Sequence, residues 1–168
     1  MNIRLETKND YSKVEELTRE AFWNLYRPGC DEHYLCHILR EHTDFIRELD
    51  YVVELNGNIV ASIMYSDSVL IGEDNEIIKA VSFGPLCVHP EYQRKGIGGK
   101  LLKYLISHAN TSEILVGTWE AATWAIRFYE EHRFKLVSTE EKDSLLRKYW
   151  DIPERQIETS VVLKLKTF

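Results

Sequence analysis

From Asp10 to about Tyr26, the residues Val14, Leu17, Ala21 and Leu25 recur every three or four positions, a spacing that predicts a helix with one apolar face. Asp10 stands where an N-cap belongs, and the RPGC tetrapeptide breaks the pattern. A second helical pattern runs from Asp31 to about Ile46 through Leu35, Ile38, Leu39 and Phe45. Before both, NIRLET reads as a short strand.

The stretch YVVELNGNIVASIMY predicts a hairpin, because Asn56-Gly57 can take the positive φ values that a two-residue turn needs. A second turn at GEDN leads into a strand from Glu76 to Val88. A helix follows the glycines at 96, 98 and 99, and EILVGTW then reads as a buried strand. EAATWAIRFYEEHRF predicts a helix, FKLV a strand, and Glu140 to about Tyr149 another helix. Pro153 ends that region, and IETSVVLKLK closes the pattern as a strand. The predicted order is β-α-α-β-β-β-α-β-α-β-α-β. Strand, helix, strand around the glycine segment implies a parallel pair, whereas the hairpins imply antiparallel ones, so the sheet is mixed.

At 168 residues, with no internal repeat or linker, a single domain over 1–168 is expected. No apolar run nears the roughly 20 residues that span a bilayer. MNIRLETKND has neither the basic start nor the apolar block of a signal peptide, so a cytoplasmic location and no membrane partner are the expectations. Three cysteines without CxxC spacing argue against a disulfide framework. A formal charge of −6 argues against nucleic acid as a partner, which would call for clustered Lys and Arg, and suits a cationic one better.

The segment VHPEYQRKGIGGKLLKYLISHA carries the chemistry. Glycine costs a helix roughly 1 kcal/mol relative to alanine, so glycines at a helix start imply that bare backbone is wanted there. A helix N-terminus offers unpaired N–H groups and a partial positive charge, and Arg94 and Lys95 add to it, which predicts a pyrophosphate cradle. It is not a Walker loop, since Leu101 follows Lys100 in place of Ser or Thr. Nor is it GxGxxG, since Leu101 also stands where the third glycine belongs.

What remains, Gln93, Gly96 and Gly98 in the pattern [Q/R]-x-x-G-x-[G/A] after the strand ending LCVHPEY, resembles the GNAT superfamily of acetyl-CoA-dependent N-acetyltransferases. The later AIRFYEEHRF is similar to the family's Phe-Tyr-Glu segment. The likeness in element order runs to about Val137 and returns in the final strand. It implies a mixed α/β fold of about seven strands flanked by helices, with a parallel pair splayed at the cofactor cleft. It also implies direct transfer of acetyl from acetyl-CoA to a primary amine of a small molecule or peptide. The backbone of Leu86, Cys87 and Val88 would then pair with the pantetheine arm. The segment Gln93, Arg94, Lys95, Gly96, Ile97, Gly98, Gly99 and Lys100 would hold the pyrophosphate. Gly84-Pro85 supports a bulge in that strand, since proline cannot donate to a ladder and glycine weakens one.

By the same resemblance Tyr129 matches the general acid for the departing thiolate. Relatives often place a carboxylate where this chain has Phe83, so the usual base is missing; Glu120 is the nearest candidate by position, and Glu73 and Asp74 are others. Ala122 replaces an asparagine that holds the pantetheine, and Arg133 replaces a glycine, which predicts a different helix ending. These departures keep a rival open: a GNAT-fold protein that binds acyl-CoA as a sensor without turnover. Many relatives are dimers, which leaves a homodimer open here.

Cys87 reads as a small buried hydrophobe rather than a nucleophile. His33, Cys36 and His37 share one helical turn but lack a second ligand pair, so no metal is expected. His89 reads as a loop residue. The resemblance puts Trp23, Tyr26 and Arg27 on the acceptor side, and Trp119, Trp124, Tyr149 and Trp150 are candidates to wall an acceptor pocket.

Overall fold

A computed structural model describes residues 1–71, 75–149 and 152–167. Its elements are β1 (Asn2–Leu5), α1 (Tyr11–Phe22), α2 (Glu32–Leu39), β2 (Tyr51–Leu55), β3 (Asn58–Ile71), β4 (Ile77–Val88), α3 (Ile97–Ile106), β5 (Glu113–Trp119), α4 (Thr123–Glu131), β6 (Lys135–Leu136), α5 (Thr139–Tyr149), α6 (Glu154–Glu158) and β7 (Ser160–Lys166). The strands hydrogen-bond in the order β1-β2-β3-β4-β5-β7-β6 in one seven-stranded sheet. β1–β2, β2–β3, β5–β7 and β6–β7 are antiparallel, while β4 and β5 are parallel neighbours, which makes the fold mixed α/β.

Two compact units divide the chain, one of 1–67 with 83–109 and one of 68–82 with 110–168. In the first, the predicted Asn56-Gly57 turn joins β2 to β3 with φ of 50° and 83°. α3 buries Ile97, Leu101, Leu102 and Leu105, which removes its apolar face from water and anchors the helix whose N-terminus carries the glycines. α1 stops at Phe22 rather than Tyr26. Asn24 takes a left-handed φ of 56°, and its side chain accepts a 2.8 Å hydrogen bond from the Gly29 N–H, so Leu25 is left exposed instead of facing the core. α2 likewise stops at Leu39, and Phe45 instead bridges to Ser66.

Asp10 occupies the N-cap position of α1, but its side chain makes no cap bond. Its carboxylate instead accepts from Arg4 at 2.8 and 3.0 Å and from the Thr7 N–H and hydroxyl at 2.9 and 2.7 Å. The Arg4 guanidinium holds this carboxyl well below the usual carboxylate range.

A buried ion cluster ties α2 to β1. Arg40 donates to both oxygens of Glu6 at 3.0 and 2.7 Å and to Glu15 at 2.6 Å, and its guanidinium lies 4.1 Å from the Tyr11 ring centroid. Asp50 is also buried here, and its Oδ1 has no hydrogen-bond partner among the described residues. Burial, then the Glu6 carboxylate, push the Asp50 carboxyl up to about 9, against the opposing pull of Arg40 and Arg47. The folded chain therefore keeps a proton that the unfolded chain loses above about pH 4. This contribution is whole below that pH and is lost as pH rises toward 9. Urea midpoints should fall between pH 6 and 9 in the parent and fall less in Asp50→Asn; equal slopes would contradict the assignment.

In the second unit, β5 and β7 pair from Glu113↔Lys166 to Trp119↔Ser160. Leu70, Ala80, Leu115, Leu145, Leu146, Ile157 and Val162 form its buried cluster. Helix α6 was not expected; Pro153 caps it, and Ile157, assigned from sequence to the last strand, is its buried residue. The Lys142 ammonium donates to the Ile157 carbonyl at 2.9 Å and fastens α5 to α6.

Candidate active site

Beyond β4 the chain makes a 3-10 turn at Pro90–Tyr92 and enters α3. His89 secures this turn. Its N–H donates to the Val60 carbonyl at 2.9 Å, its Nδ1 accepts from the Glu91 N–H at 3.2 Å, and its Nε2 lies 3.1 Å from Glu20. The Gln93 amide donates to the Val88 carbonyl at 3.0 Å, so that side chain closes the loop. Arg94 and Gly96 both have left-handed backbones, with φ of 59° and 75°. Left-handed residues set among right-handed ones turn successive N–H groups toward one point, the geometry of an anion-binding nest. Here the nest runs directly into a helix N-terminus with no acidic residue in its first turn.

Gly96 is the N-cap, and no atom lies within 4 Å of where its Cβ would be, so the mouth of the nest is open. Gln93, Arg94, Lys95, Gly96 and Lys100 are exposed, Gly98 and Gly99 are half-buried, and Ile97 is buried. Among the described residues, no carboxylate pairs with Arg94, Lys95 or Lys100, although Lys95 lies 5.2 Å from the Tyr92 ring centroid. Three uncompensated cations thus surround the loop.

Along β4, Gly84 has φ of 145°, a conformation essentially reserved for glycine, and the Gly84–Pro85 peptide is cis. Leu86 and Val88 are half-buried, and Cys87 is buried. The Cys87 thiol lies 3.1 Å from the Ser62 hydroxyl and 3.4 Å from that of Thr18, and Thr18 also lies 3.5 Å from Cys36. Burial raises the Cys87 thiol's pKa, which suits a packed side chain better than a nucleophile. Cys36, in turn, is directed at α1 and away from His33 and His37; His33 meets Cys30 and His37 meets Glu15. Phe83, at the position of the expected base, is buried 5.4 Å from the Tyr65 ring.

The second unit holds the remaining candidates. Tyr129 is 8% exposed on α4, with Phe128 and Phe134 ring centroids at 5.3 and 5.8 Å. Glu120 follows β5, is exposed, and its N–H donates to the Thr159 carbonyl at 2.9 Å. Ala122 is fully buried at the N-cap of α4, and its carbonyl accepts from Ala125 and Ile126. Arg133 corrects an expectation: with φ of 73° it ends α4 in the left-handed conformation that a glycine would supply. The Phe134 N–H then returns to the Tyr129 carbonyl at 3.1 Å.

Of the proposed pocket aromatics, Trp23 and Trp124 are exposed and Trp119 is half-buried. Tyr26 is half-buried and Arg27 pairs with Asp31. Glu73, Asp74, Trp150 and the side chain of Tyr149 lie outside the described residues. The sequence did not reveal the left-handed Arg94, or a concavity in the second unit that brings Glu120 together with Lys142, Glu158 and Ser160.

No curated protein sequence matches the chain. Among solved structures it is similar to a GNAT family acetyltransferase from Brucella melitensis in complex with acetyl-CoA, at 28% identity over 68% of this chain and 73% of that one, with a TM-score of 0.57. It is also similar to yncA from Salmonella typhimurium, solved with its cofactor acetyl-CoA, at 17% identity over 100% and 94% of the two chains and a TM-score of 0.67. A GNAT family acetyltransferase from Staphylococcus aureus matches at 16% identity over 99% of each chain, with a TM-score of 0.66. The last two likenesses bear on the fold alone. The model of the acetyltransferase (GNAT) domain matches residues 47–136, a span that takes in the nest, β4 and Tyr129, and the chain belongs to that family.

Proposed function

We propose that this protein is an N-acetyltransferase that moves acetyl directly from acetyl-CoA to a primary amine of a small molecule or peptide. The observation that carries the reading is the nest at Arg94 and Gly96, open and ringed by unpaired cations, at the N-terminus of α3. A diphosphate fits it: the ligand supplies negative charge where backbone N–H groups and Arg94, Lys95 and Lys100 await it. The residues Gln93 to Lys100 hold that diphosphate. The backbone of Leu86, Cys87 and Val88 receives the amide-bearing pantetheine arm.

Bound in this way, acetyl-CoA supplies a thioester whose acyl carbon accepts the amine lone pair. Tyr129 then donates the phenolic proton to the sulfur as the C–S bond breaks. Glu120, or water at that end of β5, takes the proton lost by the amine. A buried tyrosine suits the acid role because a site dry enough to exclude bulk water directs the proton to the leaving group.

Buried Phe83 and Ala122 favour one second reading, an acyl-CoA sensor without turnover. Thiol release from acetyl-CoA over a panel of amines separates the two. Tyr129→Phe should lower kcat by about a hundredfold while leaving the Kd for acetyl-CoA within about twofold. Unchanged turnover would remove Tyr129 from the acid role. Tight acetyl-CoA binding with no release on any amine would favour the sensor.

A further inference from the structure

We propose that the concavity at the carboxyl end of β5 is an acceptor subsite that takes the ammonium group of a small cationic amine. The inference rests on the acetyltransferase reading above and names its substrate class. The concavity holds about 180 Å³, and Glu120, Glu158, Lys142, Ser160, Thr139 and Val162 are among its lining residues. All belong to the unit that also carries Tyr129.

The backbone explains why the two glutamates meet. β5 and β7 pair as far as Trp119↔Ser160, and the Glu120 N–H then reaches the Thr159 carbonyl at 2.9 Å. That bond extends the ladder by one step and fixes Glu120 beside the Glu158–Thr159 segment. Among the described residues, neither carboxylate has an ion-pair or side-chain hydrogen-bond partner. Ser160 is the decisive member. It is 9% exposed, lines the same concavity, and its hydroxyl has no hydrogen-bond partner among the described residues.

A buried hydroxyl left without a partner is costly unless a ligand or water satisfies it. The one cation in the wall does not serve it. Lys142 spends its donors on the Ile157 carbonyl at 2.9 Å and on Asp143 at 2.7 Å, so Asp143 already balances its charge. The concavity thus offers three unsatisfied acceptors, on Glu120, Glu158 and Ser160, and a net negative charge. An alkylammonium presents three N–H donors and one positive charge, which answers both. Neutral amides and alcohols answer only the hydrogen bonds, and anions are repelled.

The position suits an acceptor, because ligands of open α/β sheets bind beyond the carboxyl ends of parallel strands, and β5 is such a strand. Glu120 also stands three positions before the first residue of α4, the helix that presents Tyr129.

Calorimetric titration with 1,4-diaminobutane tests the assignment, with 1-butanol as the neutral control and coenzyme A titrated separately. The parent should bind the diamine in the millimolar range or tighter and bind butanol at least about tenfold more weakly. Glu158→Gln should weaken the diamine about fivefold, the scale of one partly exposed charge pair, and Ser160→Ala by about threefold. Coenzyme A affinity should stay the same in both variants, which also shows that they fold. No diamine binding at 10 mM (about), or equal binding by parent and both variants, would overturn the subsite. Loss of coenzyme A binding in the parent would instead overturn the acetyltransferase reading, and the diamine result would still judge the subsite.

Discussion

Gly96→Glu is expected to weaken coenzyme A binding at least about a hundredfold, read by calorimetry against the parent. The substitution changes two things that can be separated. Gly96 has φ of 75°, where an L side chain costs roughly 1–2 kcal/mol, but its Cβ meets no atom within 4 Å, so no clash is added. The carboxylate would stand at the mouth of the nest, facing the diphosphate. At about 6 Å and an effective dielectric near 20, each pair of like charges costs roughly 3 kcal/mol. That alone is about a hundredfold in affinity. Gly96→Ala carries the backbone cost without the charge and should lose about tenfold or less. Equal losses in the two variants would show that backbone strain, and not charge, governs the loop.

Arg40→Ala is expected to destabilise the fold by about 3–5 kcal/mol, because it leaves the Glu6 carboxylate buried without its counter-charge. The side chains of Arg40 and Glu6 are 2% and 0% exposed, so water cannot take the place of the guanidinium. For a chain of this size that corresponds to a fall in Tm of about 10 °C or more. Arg40→Lys keeps the charge but loses the fork that reaches both Glu6 oxygens and Glu15, and should fall between parent and alanine variant. A double variant, Arg40→Met with Glu6→Gln, should recover much of the loss, since no buried charge then stands alone. A Tm for Arg40→Ala within about 2 °C of the parent would contradict the account of this cluster.

Where local chemistry decided the structure, the sequence was a good guide. Asn56-Gly57 dictated its turn because few residues accept two consecutive positive φ values. The glycines before Lys100 marked an anion site because helix starts have the same unpaired N–H groups in any context. The parallel β4–β5 pair followed from the intervening helix α3.

Where distant residues decided, the sequence was silent. α1 ended early because Asn24 used its side chain on Gly29, a choice that apolar spacing does not encode. α6 is five residues long, too short to show a period. Asp10 looked like a cap until Arg4 claimed its carboxylate. Arg40, Glu6 and Asp50 read as ordinary surface charges because nothing along the chain brings them together. The concavity collects Glu120, Lys142, Glu158 and Ser160 from three separate segments, and only the β5–β7 register aligns them. Arg133 shows the opposite error: a missing glycine suggested a new helix ending, yet the arginine adopts the glycine's conformation.

Amide NMR of the isotope-labelled protein titrated with coenzyme A is the most direct test of the diphosphate cradle. Saturable shifts should concentrate at Arg94–Lys100, with a second group at Leu86–Val88. A titration that saturates while those amides stay fixed, or that produces no shifts at all, would contradict it.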